Sequence, residues 1–185
     1  MIPLVKKIPT NHGTATQTGS LQIEILIVVA AIAVGFLIWW PLSKADNLAA
    51  GEMRAASLLQ SIDEKLATAT DLRTLVAETP SADAASFVFH TENLGERDGY
   101  LFRLDAAANG PRIYAWPSEY GKTGNAAFLL DPPRPILETR NHRRHYSGKT
   151  RQPAEKAGLP ANTDPSTAAF GKDSQEWKPF MPRGS

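Results

Sequence analysis

A single carboxylate, Glu24, sits just inside an otherwise uncharged apolar run, and Gly19 stands five residues ahead of it. From Ile25 to Trp40 no side chain carries a charge, and only the indoles of Trp39 and Trp40 can hydrogen-bond. An acid in such a setting is costly unless a cation pairs with it, so Glu24 is the first candidate for a functional group. The alternative is an acid that snorkels to water among the headgroups. Other residues offer weaker chemistry. Gly121-Lys122-Thr123 and Gly148-Lys149-Thr150 look like the end of a phosphate loop. Trp116 and Arg143 stand where each loop needs its first glycine, which leaves two turns. His142 and His145 have the spacing of metal ligands on one helical face, but they lie among Arg140, Arg143, Arg144, Lys149 and Arg151, which repel a cation. Asp98, Asp105 and Asp131 fall at loop edges without the spacing of a calcium loop. Neither HExxH nor G-x-S-x-G occurs. The expectation is a protein that is not an enzyme, with no catalytic residue, cofactor or metal site.

Composition narrows the classes further. The 185 residues include no cysteine, which excludes disulfides, thiolate metal sites and cysteine catalysis. A net charge of +1 argues against a general nucleic-acid binder. Once the apolar run is set aside, enough chain remains for one modest domain held together by its core alone.

The element that positions Glu24 is a membrane-spanning candidate. From Leu21 to Leu42 the segment covers roughly 33 Å as a helix, against a hydrocarbon core of about 30 Å. Lys6 and Lys7 precede it, whereas Lys44, Asp46, Glu52 and Arg54 follow in a mixed set. The positive-inside tendency places the N-terminus in the cytoplasm and the bulk of the chain beyond the membrane. Three readings of the segment compete. It is a signal peptide ending at the small residues of Ser43-Lys44-Ala45. It is a plain anchor with Trp39 and Trp40 at the outer headgroups. Or it belongs with the residues before it.

On that third reading, Gly19-x-x-x-x-Glu24 followed by about twenty apolar residues resembles the class III leader of type IV pilins and type II secretion pseudopilins. The resemblance implies that a prepilin peptidase cuts after Gly19, so that Ser20 becomes the first mature residue and carries a methylated amine. Glu24 would then be the fifth mature residue. The family commonly has a proline 22 residues into the mature chain, and Pro41 holds that place. The first mature residue of the family is usually aromatic, and its basic residues lie just before the glycine; Ser20, Lys6 and Lys7 depart from both habits. The likeness covers residues 19 to about 66 and extends further only by architecture. It implies a structural subunit that assembles through its helix. Its partners would be membrane lipid, the peptidase, other pilin-like subunits and an inner-membrane platform, with no nucleic acid. It would sit in the bacterial inner membrane with its C-terminal domain periplasmic. Glu24 would set the register against the new Ser20 amine, whose ordinary pKa is about 7.7–8.0. Pro41 would kink the helix or mark a break in it. The competing function is an unprocessed single-pass envelope protein whose outer domain binds a partner or ligand.

The rest of the chain reads as an α+β plan: a long N-terminal helix packed on a small antiparallel sheet, then a poorly ordered tail. The expected divisions are a leader (1–19), a transmembrane helix (20–43), a continuing helical segment (44–79), a sheet domain (80–140) and a basic, then Pro/Gly-rich flexible tail (141–185). Leu48, Ala55, Leu58, Leu59, Ile62 and Leu66 recur at helical spacing. Thr70-Asp71 is positioned to cap a second short helix over 71–78, and Pro80 ends it. Strands are expected over Ser86–Thr91, Gly99–Asp105, Arg112–Trp116 and Ala126–Asp131. Beyond Asp131, Pro132, Pro133 and Pro135 break any strand, although Ile136-Leu137 can pair briefly at an edge. Tyr100, Phe102 and Leu104 should share one face, and Leu101 and Arg103 the other. Trp177 and Phe180 either dock back, bind a partner or stand exposed.

Overall fold

The computed structural model describes residues 18–107, 110–142, 146–154, 168–171 and 173–182, with side chains from Ile25 onward. The chain divides into two units, residues 1–42 and 43–185. Helix α1 (Thr18–Leu66) contributes to both.

In the first unit every side chain from Ile25 to Leu42 is exposed. A helix so apolar and so uncovered is long enough to cross a membrane, and it lies near the N-terminus. Phe36 and Trp40, one turn apart, hold their rings 5.4 Å apart. Pro41 lies inside α1, so the helix does not break there. Proline costs a helix one backbone hydrogen bond, which membrane helices tolerate.

In the second unit the C-terminal part of α1 turns amphipathic. Ala55, Leu58, Leu59, Ile62 and Leu66 recur at helical spacing, and all are buried against the sheet. Helix α2 (Leu72–Ala77) follows and buries Leu72, Leu75 and Val76. Lys65 Nζ donates to the carbonyl of Glu78, tying the ends of the two helices together. Asp71 is the N-cap of α2: its Oδ1 accepts from the Thr74 amide at 2.7 Å and its Oδ2 from the Thr74 hydroxyl at 2.9 Å. The amide bond above all, then the hydroxyl, holds the Asp71 carboxyl below its ordinary value. A depressed carboxyl stabilises the cap above its unfolded pKa of about 3.9 and loses that contribution as pH falls through the folded value. The Thr74 amide resonance is therefore expected to titrate with a midpoint below about 3.9, and Asp71→Ala should abolish the titration.

The sheet is antiparallel throughout. Its strands are β1 (Val88–Thr91), β2 (Leu94–Arg97), β3 (Tyr100–Ala107), β4 (Gly110–Pro117), β5 (Ala127–Leu130), β6 (Leu137–Thr139), β7 (Ala169–Phe170) and β8 (Glu176–Pro179). They lie in the order β1-β2-β3-β4-β5-β6-β8-β7. Phe102 pairs with Ala115 and Ala115 with Phe128, so these three share a face with Tyr100, Leu104, Ile113 and Leu130. That face packs on α1 and α2. Leu101, Tyr114, Trp116, Ala127, Leu129 and Leu137 form the other face, as strand alternation requires.

Two features differ from the sequence reading. Strand β2 was not expected. Its Gly95 lies under two phenylalanines: a Cβ there would approach the rings of Phe87 and Phe89 to 3.0 and 3.2 Å. Those rings stack 5.4 Å apart, which is why the strand carries glycine where strand residues are normally larger. The sheet also continues past 140. Strands β7 and β8 come from the stretch read as a flexible tail, and Trp177 is fully buried. The face away from the helices is itself covered, by described residues of 141–153 and by Trp177.

Candidate functional site

The residues singled out at the N-terminus lie along the start of α1. Gly19, Ser20 and Glu24 all have helical backbone within its first turns, and their side chains lie outside the described residues. Pro41 follows in the same helix. The spacing read from the sequence is therefore carried by one helical element.

The other candidates resolve into structure. Each loop-edge aspartate has an arginine beside it. Asp98 meets Arg97 Nε at 3.3 Å, Asp105 meets Arg103 Nε at 2.6 Å, and Asp131 meets Arg134 Nη1 at 3.4 Å. A carboxylate already neutralised by a guanidinium is a poor ligand for a cation. Among the described residues, no three His, Asp or Glu side chains group as metal ligands would. His142 is exposed, and His145 lies outside the described residues. Gly121-Lys122-Thr123 is a turn, with the Lys122 and Thr123 amides donating to the Glu119 carbonyl at 3.1 and 3.0 Å. Lys122 pairs with Glu119 in solvent, and among the described residues no helix follows to receive a phosphate.

Two polar clasps hold the domain together, and both join segments far apart in sequence. In the first, Glu52 of α1 reaches the loop before β5. Its Oε1 accepts from the amides of Asn125 and Ala126 at 3.0 and 3.2 Å. Its Oε2 accepts from Arg140 Nη1 at 3.3 Å. Arg140 also meets Glu138 at 3.7 Å. Tyr100, fully buried alongside, donates its hydroxyl to the Ala126 carbonyl at 3.2 Å. Burial, reinforced by the Glu52 carboxylate, pushes the Tyr100 phenol above its ordinary value, so it remains a donor. The fit is close: a Cβ on Gly51 would lie 2.6 Å from the Thr123 carbonyl oxygen, and one on Gly124 would collide with the Tyr100 hydroxyl. Glu52→Gln leaves an amide NH₂ facing the Arg140 guanidinium, and is expected to cost about 2 kcal/mol in denaturant unfolding.

The second clasp fastens the chain beyond β6 to the outer face of the sheet. Arg103 grips Asp105 through two bonds of 2.6 and 2.8 Å. It also donates to Gln152 Oε1 at 3.0 Å and to the Pro153 carbonyl at 2.7 Å. Its guanidinium lies over Tyr114 and Trp116, 5.5 and 5.8 Å from the ring centroids. Trp116 Nε1 donates to the Gly148 carbonyl at 2.9 Å. Asn141, in the left-handed region, exchanges two hydrogen bonds with the backbone of Tyr146. Arg140, which the sequence shows only as one of a cluster of basic residues, is thus a structural ion-pair partner.

Sequence reasoning missed Glu52 and Arg103. One signal was present for each: Glu52 adjoins the buried stripe of α1, and Arg103 alternates with aromatics in β3. No protein-family model, curated protein or solved structure matches the chain.

Proposed function

We propose that the chain is a pilin- or pseudopilin-like structural subunit of a type II secretion or type IV pilus-like assembly. The observation that carries this reading is the spacing of Gly19, Glu24 and Pro41 along one apolar helix, which continues as a core element of an α+β domain. Prepilin peptidase cuts after Gly19, and the Ser20 amine becomes the mature, methylated N-terminus. The subunit sits in the bacterial inner membrane with its N-terminus cytoplasmic and its sheet domain periplasmic. An inner-membrane platform draws the span from the bilayer, helices stack, and Glu24 sets their register against a neighbouring amine. The subunit catalyses no reaction and needs no cofactor or nucleic acid.

A second reading keeps the same topology without processing: a single-pass envelope protein whose outer domain binds a partner or ligand. It is favoured by Ser20 in place of an aromatic and by the distance of Lys6 and Lys7 from Gly19. The N-terminal sequence of the protein isolated from membranes separates the two. A start at Ser20 is expected. A start at Met1 favours the second reading, and a start at Asp46 means a secreted protein and sinks both.

A further inference from the structure

We propose that α1 carries both halves of a head-to-tail contact between copies of this chain, with Arg54 of one copy receiving Asp63 of the next. This rests on the reading of the chain as an assembling subunit.

The first half is a groove of about 390 Å³ beside α1. Arg54, Ser57 and Ser61 form its helical wall, Ser81 and Arg97 its other side, and Phe102 part of its floor. Arg97 is already engaged, with Asp98 at 3.3 Å and with the Ala82 carbonyl. Arg54 is exposed and, among the described residues, has no hydrogen bond or ion pair. The groove also holds Asp98, whose carboxylate is taken by Arg97. It therefore presents the Arg54 guanidinium and the hydroxyls of Ser57 and Ser81 over an apolar floor, the Ser61 hydroxyl being bonded to the Leu58 carbonyl at 2.7 Å. That setting fits a carboxylate at the end of a short side chain.

The second half is Asp63, also exposed and, among the described residues, also without an ion-pair partner. Partial burial, and then the adjacent Glu64 carboxylate, raise its carboxyl above the ordinary value. That is the condition of an acid lacking a cation.

The helix geometry decides how the halves meet. Nine residues separate Arg54 from Asp63, about two and a half turns. The two side chains therefore leave α1 on opposite flanks, roughly 90° to either side of the stripe Ala55, Leu58, Leu59, Ile62 and Leu66 that packs on the sheet. One copy cannot pair them with each other. Two copies related by a two-fold axis would face like with like on either flank. Parallel copies set side by side satisfy both groups, and each added copy leaves a fresh Arg54 at one end and a fresh Asp63 at the other. A heterologous contact of this kind does not close on itself but extends into a filament. The separation along the axis sets a stagger of about 14 Å between the two copies this contact joins. The copy whose Ser20 amine would meet Glu24 is a different neighbour, offset by four residues or about 6 Å.

The chain has no cysteine, so an introduced pair reports on this contact alone. In membranes of producing cells, full-length Arg54→Cys/Asp63→Cys treated with a bis-maleimide that spans the gap left by the shortened side chains is expected to give a covalently linked ladder, and neither single variant should. In a second arm, R54D or D63R alone should lower the yield of sedimentable multimers roughly tenfold, and the R54D/D63R exchange should restore it. Sedimentable multimers without a ladder or a rescue would overturn this contact and leave the assembling-subunit reading standing. Absence of multimers from the unmodified chain would overturn both.

Discussion

Replacing Glu24 by alanine is expected to leave the chain in the membrane and abolish its assembly. The two halves of that result have separate causes. Insertion depends on the apolar length from Leu21 to Leu42, and removing an acid from it can only help: a carboxylate at the centre of a membrane helix costs about 2.5–3.5 kcal/mol on insertion scales, less near the interface. Assembly depends on what the acid meets. In the membrane as a lone chain, Glu24 can reach water at the headgroups. Among packed helices it cannot, and it then demands a cation at its own depth. On the proposed processing after Gly19, the amine created on Ser20 of a neighbour would be such a cation. Copies packed at the wrong axial level bury the acid unpaired, so the residue rejects wrong registers as much as it rewards the right one. Glu24→Gln separates charge from polarity: it keeps hydrogen-bonding capacity and loses the ion pair, and should also fail to assemble. Sedimentation of membrane-extracted material, alongside an alkaline wash to establish insertion, reads both halves. Normal multimers from Glu24→Ala would remove the register role.

This expectation concerns residues that the sequence exposes well, because a charge inside an apolar run stands out against its surroundings. The same holds for the amphipathic stripe of α1 and for strands β3 and β4, where periodicity alone assigns faces. Tyr100, Phe102 and Leu104 do point to the helices, and Leu101 and Arg103 away from them. What was hidden is what depends on distant partners. A lone Glu52 on a helix reads as a solvated charge. Its meaning comes from the amides of Asn125 and Ala126, more than seventy residues on. Gly95 argues against a strand until Phe87 and Phe89 are stacked over it. Arg140 sits in a run of basic residues and looks like its neighbours, yet Glu52 and Glu138 make it a ligand of the fold.

The clasps also bear on how the domain survives without disulfides. Arg103 and Glu52 each tie three segments together, and each does so where part of the chain has little regular structure. A guanidinium laid over two aromatic rings and bonded to a carboxylate, an amide oxygen and a backbone carbonyl satisfies nearly all of its donors. The loops on the outer face are thereby anchored by geometry that a lysine at 103 would not reproduce.

Trp177→Ala is expected to destabilise the domain by about 4 kcal/mol, the range found when a large buried aromatic is truncated. Against a total stability of about 5–15 kcal/mol that is a large share. The reason lies in how β8 is held. It pairs with β6 at only Leu137↔Pro179 and Glu138↔Lys178, and Pro179 has no amide to donate. Lys178 adds a half-exposed contact to Glu138 at 3.5 Å, which is worth little in water. The edge of β8 that faces β7 gains only two further residue pairs. What fixes the strand is the indole itself, fully buried beside Leu101, Trp116, Leu129 and Leu137 and set edge-on to Tyr114 at 6.4 Å. Removing it leaves a cavity at the seam between β6 and the late strands, where the backbone is too sparsely bonded to collapse without letting go. The detergent-solubilised chain should show a lower denaturant midpoint by far-UV circular dichroism. The Phe180 amide, which donates to the Ile136 carbonyl at 2.8 Å, should lose its protection from exchange. Phe170→Ala provides the contrast, since that ring is 63% exposed at the sheet edge and its loss should fall within about 0.5 kcal/mol. A Trp177→Ala domain destabilised by less than about 1 kcal/mol would mean that β7 and β8 fold and unfold apart from the rest, and that the cooperative core ends at β6.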